Sequence, residues 1–167
     1  MQINIISNSA DFTQSLGKKF SRILSKSNVI LFSGELGGGK TTFISGLAEG
    51  FGVKENLSSP SFTILNEYHI DNRLKFIHAD LYRLENIDDI DNTGLDDYLY
   101  DGFSIICIEW GDEIEDHDMS GYPSTNLSYL IDSSNVATKR KITFNSDSRY
   151  WDIKLSRFKN ILEKDRK

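Results

Sequence analysis

Apolar residues set the first elements. Through "SADFTQSLGKKFSRIL", Phe12, Leu16, Phe20, Ile23 and Leu24 recur at helical spacing, which predicts an amphipathic helix with Ser9 placed to cap it. The short run "INII" before it predicts a first strand, and Asn28-Val29-Ile30-Leu31-Phe32 predicts a buried one. Phe43, Ile44, Leu47 and Phe51 then share one face of a second helix, which Gly50 and Gly52 are expected to close. Two extended stretches follow, "LSSPSFTILNEYHI" and "RLKFIHADLYRL", joined at Asp71-Asn72 in the manner of a hairpin. Leu95, Tyr98 and Leu99 fall at helical offsets in the acid-rich segment before "FSIICIEW", an apolar, β-branched run that suits a central strand. "LSYLID" and "KRKITF" predict two more strands, and Trp151, Leu155, Phe158 and Leu162 a closing helix.

Strands alternating with helices predict an α/β fold, and the hairpin adds an antiparallel insertion to a mixed, mostly parallel central sheet flanked by helices. A chain of 167 residues suits one domain, at about 100 to 200 residues each. No repeat, low-complexity tract or linker divides it. No apolar run approaches the roughly 18 residues of a membrane span, and the first residues, "MQINIISNSADFTQ", lack the pattern of a signal peptide. A cytoplasmic protein that does not enter membranes is expected. The net charge of −6 argues against strong nonspecific binding of nucleic acid by this chain alone, because that affinity comes mainly from Lys and Arg at phosphates. The one cysteine, Cys107, lies in an apolar run and reads as a core thiol.

The chemistry concentrates in "LFSGELGGGKTTFISGL". Gly34, four further residues, then Gly39, Lys40 and Thr41 complete the pattern G-x-x-x-x-G-K-[ST] between a predicted strand and a predicted helix. A tight strand-to-helix turn needs a glycine or two, but has no use for a lysine and a hydroxyl at fixed offsets. A bare backbone at a helix N-terminus points several N–H groups and the positive end of the helix dipole at one spot, which suits phosphate. Gly37, Gly38 and Gly39 would cradle the phosphates, Lys40 would reach the β- and γ-phosphates, Thr41 would ligate Mg²⁺, and Thr42 would meet the α-phosphate. The fold expected is a single P-loop NTPase domain, with ATP and Mg²⁺ as cofactors.

Mg²⁺ takes oxygen ligands and such a loop supplies one hydroxyl, so an acid should arrive from a neighbouring strand end. Glu109 closes "SIICIE" and Asp80 closes "LKFIHAD". The alternative for each is a solvated carboxylate at a strand end, in a chain with 25 acids, and the apolar strands that deliver them favour the functional reading. The working assignment makes Glu109 the metal partner of Thr41, and Asp80 a helper acting on water or through metal-bound water. In "SSPSFTILNEY", Ser59, Ser61 and Thr63 surround a stiffening proline, either as a loop that senses a γ-phosphate or as turn residues leading into the hairpin. His78 is expected to pack within its strand. Histidines at 69, 78 and 117 with one cysteine argue against a zinc site.

The succession "GELGGGKTTF", "SSPSFTILNEY", "HADLYRL", "GLDDYL" and "IEW", over about residues 30 to 111, resembles the TsaE (YjeE) ATPases of bacterial tRNA threonylcarbamoyladenosine biosynthesis. The resemblance implies a small ATPase working with two partner proteins, the threonylcarbamoyl transferase and its inactive paralogue. That complex modifies adenosine 37 of tRNAs reading codons that begin with A, so tRNA is met only indirectly. By position, the family's loop residues become Gly37 to Thr42, its metal ligands Thr41 and Glu109, and its acid in H-x-D-L-Y-R Asp80, with Trp110 following Glu109. Thr13 matches a threonine that lies near the adenine in relatives. Relatives usually read S-P-T where this chain has Ser59-Pro60-Ser61. Ser61 keeps the hydroxyl for the γ-phosphate and drops the methyl.

Neither flank of the loop carries an arginine, and a cation supplied in trans can raise phosphoryl-transfer rates about 10³- to 10⁵-fold. Slow hydrolysis alone and stimulation by partners are therefore expected; Arg73 and Arg83 by the hairpin are the chain's own candidates for that cation, and read more readily as solvent-exposed salt-bridging charges. Two other functions fit the same loop: a small-molecule kinase, and a nucleotide-gated binding module with negligible turnover. The acidic 85 to 101 segment lacks the arginine-rich character of a kinase lid. No N-K-x-D is present to read guanine.

Overall fold

The computed structural model describes residues 1–60, 63–84, 92–110, 124–131 and 137–165. Its elements in chain order are β1 (Gln2–Ser7), α1 (Ala10–Ser21), β2 (Val29–Ser33), α2 (Lys40–Phe51), β3 (Leu65–His69) and β4 (Lys75–Asp80). There follow α3 (Leu95–Leu99), β5 (Ser104–Glu109), β6 (Ser124–Ile131), β7 (Ala137–Asn145) and α4 (Arg149–Lys164).

All the strands join one sheet in the order β1-β7-β6-β2-β5-β4-β3. Its four central strands, β6, β2, β5 and β4, run parallel, and antiparallel partners lie at both edges. The expected mixed α/β architecture and hairpin insertion are both present. At the hairpin turn, Asp71 Oδ1 accepts from the backbone N–H groups of Arg73 and Leu74, each at 2.8 Å.

Period-two alternation divides the core. Ile30, Phe32, Phe76, Ile105, Cys107, Ile142 and Phe144 join a cluster with Leu16 and Phe20 of α1, Phe43 and Leu47 of α2, and Trp151, Leu155 and Phe158 of α4. Val29, Leu31, Ile77, Ala79, Ile106 and Ile108 join a second cluster with Leu95 of α3. The sheet is thus covered by three helices on one face and by α3 on the other. Phe20 sits at the centre of the larger cluster, its ring 5.0 Å from that of Phe144 and 4.9 Å from that of Phe158.

Helices α1 and α2 approach closely because two glycines face the seam. A Cβ on Gly17 would stand 2.1 Å from the Phe43 carbonyl oxygen, and one on Gly46 would stand 1.9 Å from that of Gln14. Gly50, expected to close α2, lies inside it and makes room for Ser21. The helix ends at Gly52, whose φ of +84° suits a residue without a side chain. The extended stretch before the hairpin is also shorter than predicted: β3 begins only at Leu65, after Ile64 adopts a φ of +67°.

Candidate functional site

Three parallel strands deliver their C-terminal ends to one edge of the sheet, where ligands commonly bind in open α/β folds. Strand β2 leads into the glycine loop, while Asp80 and Glu109 end the adjacent strands β4 and β5 directly opposite each other. Alternation puts His78, Asp80, Cys107 and Glu109 on the sheet face that α2 covers, because Phe76 and Ile105 at the same parity belong to that face's core.

The loop takes left-handed backbone angles at Gly34 (φ +108°), Gly37 (+75°) and Gly39 (+103°), conformations that other residues adopt at a cost. Gly38 N–H donates to the Glu35 carbonyl at 2.9 Å, closing the turn. Gly39 caps α2, and its carbonyl accepts the first helical hydrogen bond, from Phe43 N–H at 2.9 Å. Helix α1 begins with Ser9 accepting from Phe12 N–H at 3.1 Å and has Asp11 in its first turn. Helix α2 begins with neither a capping side chain nor an acid. The start of α2 thus turns the positive end of its dipole toward the loop with no acid of its own to answer it, a setting that suits an anion.

Lys40 is only 4% exposed. Its Nζ donates to the carbonyl oxygens of Gly34 at 2.8 Å and Glu35 at 3.1 Å, and lies 3.8 Å from the centre of the Trp110 ring. Trp110 reaches that position through a φ of +64°, strained for so large a residue. Its N–H meanwhile donates to the Phe32 carbonyl at 2.8 Å, which ties the turn after β5 to β2. Thr41 Oγ1 donates to Glu109 Oε1 at 2.9 Å. Ser59 Oγ donates to Asp80 Oδ2 at 2.9 Å, and Tyr82 N–H donates to Asp80 Oδ1 at 3.2 Å.

These groups line a cleft of about 180 Å³ together with Gly37, Gly39 and Thr42. A hydroxyl beside a carboxylate, with a second carboxylate on the next strand, is an all-oxygen donor set suited to a hard divalent cation that keeps part of its water shell. Among the described residues no cluster of three or more His, Cys, Asp or Glu is arranged to hold a metal. A cation here would need ligand oxygens from a bound polyanion as well.

Of the residues singled out in the sequence, Gly37, Gly39, Lys40, Thr41, Thr42, Asp80, Glu109 and Trp110 line this one cleft, and Gly38 lies in the loop between two of them. Ser61 lies outside the described residues. Thr13 is fully buried in α1, its hydroxyl within 2.7 Å of Ser7 Oγ and donating to the Ser9 carbonyl at 3.1 Å, and it is not among the cleft's lining residues. Arg73 lies in the turn before β4, at the opposite end of that strand from Asp80. Five strand steps of about 3.3 Å separate Lys75 from Asp80, so Arg73 stands far from the cleft.

Sequence reading passed over two cleft residues and assigned a third, behind them, to packing alone. Leu36 stands 72% exposed at the loop tip, and Tyr82, 52% exposed, holds its ring 5.0 Å from that of Trp110. His78 is fully buried, with Nε2 2.9 Å from Glu109 Oε1. The alternation of "KFIHAD" placed it on the face of Asp80, a signal that packing alone seemed to explain. Beside it, burial and then the Glu109 charge push the Cys107 thiol well above its ordinary pKa, so it stays protonated and inert.

The sequence matches, over residues 7–142, the family profile described as "Threonylcarbamoyl adenosine biosynthesis protein TsaE". The chain belongs to the TsaE family. It is 35% identical over 133 residues to a Treponema pallidum protein named tRNA threonylcarbamoyladenosine biosynthesis protein TsaE, covering 80% of this chain and 96% of that one. A Bacillus subtilis protein of the same name is 34% identical over 152 residues, covering 89% and 90% of the two chains. The fold matches the crystal structure of Bacillus subtilis YdiB with a TM-score of 0.78 and 26% identity, over 96% of this chain and 95% of that one. The TsaE-family match spans the glycine loop, both strand-end acids and Trp110.

Proposed function

We propose that this TsaE-family chain binds Mg-ATP in the cleft and hydrolyses it slowly, in support of the complex that forms threonylcarbamoyladenosine at position 37 of tRNAs reading codons that begin with A. The pathway follows from the names of its relatives. The partners, a threonylcarbamoyl transferase and its inactive paralogue, follow from the resemblance.

The observation that carries the nucleotide part is the 2.9 Å contact between Thr41 and Glu109 at the uncapped start of α2. Backbone N–H groups of the loop would bind the phosphates, and the Lys40 ammonium would exchange its carbonyl partners for phosphate oxygens. Thr41 and Glu109 would hold Mg²⁺, which supplies neutralisation of phosphate charge when bound. Asp80, anchored by Ser59 and Tyr82, is positioned to accept a proton from water. Among the described residues no arginine lines the cleft, which favours slow turnover until a partner contributes a cation. Such a chain would work in the cytoplasm; among the described residues no helix is long and apolar enough to cross a membrane.

Reconstituted threonylcarbamoylation of tRNA over several turnovers tests this. Wild-type protein is expected to sustain repeated cycles, and Lys40→Ala to stop them. A Lys40→Ala protein that cycles normally would refute an essential nucleotide role. Phosphate release without any added acceptor, slow alone and faster with the partners, would set ATP hydrolysis apart from a small-molecule kinase.

A further inference from the structure

The bond that Thr41 makes to Glu109 is one of two converging on the same carboxylate oxygen. From the other side His78 Nε2 lies 2.9 Å from Oε1, in a residue with no exposed surface. An ionised carboxylate only accepts, so the imidazole donates through Nε2–H. The other ring nitrogen, Nδ1, is buried with no hydrogen-bond partner among the described residues. Donation through Nε2–H is the ring's polar contact among the described residues, and the rigid ladder that pairs β4 with β5 aims it at Glu109.

A threonine hydroxyl carries one proton and two lone pairs, so Thr41 can offer a lone pair to a cation while its proton stays on Glu109, and His78 supplies the second donor on Oε1. We propose that His78 is the positioning residue that holds the Glu109 carboxylate in its metal-binding orientation. This rests on the nucleotide reading above. It accounts for a histidine within an otherwise apolar stretch of strand, where an aliphatic residue would fill the space without leaving Nδ1 unpartnered. Outer partners of this kind act by restricting ligand rotation, and their loss commonly weakens metal affinity or activity about 10- to 100-fold.

Calorimetric titration of Mg²⁺ into protein saturated with a non-hydrolysable ATP analogue tests the role. His78→Phe keeps the ring volume and loses the donor, and should weaken Mg²⁺ affinity about 10- to 100-fold while analogue binding without metal stays within about twofold. His78→Gln restores an N–H donor at similar reach and should recover most of the affinity. Equal Mg²⁺ affinity in wild type and His78→Phe would overturn the proposal alone, as would a Gln variant no better than the Phe one. A wild type that binds no Mg-nucleotide would overturn the nucleotide reading and this inference with it. Should the variants fail to fold, ¹⁵N resonances of His78 in the ligand-free wild type decide: a protonated Nε2 is expected, and a bare Nε2 overturns the proposal.

Discussion

The Lys40 ammonium lies 3.8 Å from the centre of the Trp110 ring while donating to two carbonyls of its own loop. A cation over an indole is worth roughly 0.5 to 2 kcal/mol, depending on how dry the contact is. The ring therefore competes weakly against a polyphosphate. Binding of Mg-ATP should pull the ammonium off the ring and change Trp110 emission. The second tryptophan, Trp151, is buried against α1 and the sheet in the larger core cluster. The emission change should survive in Trp151→Phe and vanish in Trp110→Phe; the reverse pattern would disprove a nucleotide site at Lys40.

Asp80 and Glu109 face each other in register, yet their neighbours differ. Glu109 meets Thr41 and His78, while Asp80 meets Ser59 and the Tyr82 backbone. Glu109→Ala should weaken Mg²⁺ binding and lower turnover about 10²- to 10³-fold, as expected when a preorganised charge is removed from a site. Asp80→Ala should lower kcat about 10²- to 10⁴-fold with Mg²⁺ affinity retained, the mark of a lost proton acceptor. Metal titration and steady-state kinetics on both variants separate the roles, and unchanged metal affinity in Glu109→Ala would defeat the assignment.

Much of this arrangement was legible because its signals are local. Spacing in "GELGGGKT" fixes a loop, and apolar runs ending in Glu109 and Asp80 fix which acids reach the sheet edge. What stayed hidden depends on contacts between elements distant in sequence. Gly50 looks like a helix stop, but Ser21, from another helix, occupies the space its side chain would fill. His78 resembles a packed strand residue until β5 is laid beside it and Glu109 comes within 2.9 Å. The turn at Trp110 is invisible to composition, because nothing local marks a tryptophan for a positive φ.

The seam between α1 and α2 positions the loop, since α2 begins at Lys40. At Gly17 and Gly46 the atoms that an added Cβ would strike are backbone carbonyls, which cannot rotate away. Gly17→Ala and Gly46→Ala should each destabilise by about 1 to 3 kcal/mol, the usual cost of overpacking. Melting temperature should fall by roughly 2 to 4 °C for each kcal/mol in a chain of this size. Gly52→Ala meets nothing within 4 Å and suffers only from its φ of +84°, so it should cost less than either seam variant. Thermal melts on the three proteins check this order.

Cys107 is fully buried next to Glu109 on β5, and its thiol is held protonated. Thiolate is the reactive form. A thiol reagent should therefore modify the native protein only as fast as β4 and β5 open, with modification accelerating in denaturant. Rapid labelling under native conditions, followed by mass spectrometry, would show that this part of the sheet opens more readily than its packing implies.

Tyr98 of α3 donates to Glu67 of β3, whose Oε2 also accepts from Lys75 Nζ at 3.0 Å, so one carboxylate ties a helix to two strands. The hydrogen bond to Glu67 first, then burial and the charges of Glu67, Asp97 and Asp101, push the phenol up to about 12. An unfolded tyrosine ionises near about 10. The folded state thus holds its proton to higher pH than the unfolded state. Its stabilising share is whole below about pH 10 and is lost as the pH climbs through about 12. Denaturation midpoints of wild type and Tyr98→Phe should differ most at about pH 8, with wild type the more stable, and should draw together as the pH approaches about 12. A difference that stays constant across this range would assign the stabilisation to the ring's packing and leave the hydrogen bond to Glu67 with no share in it.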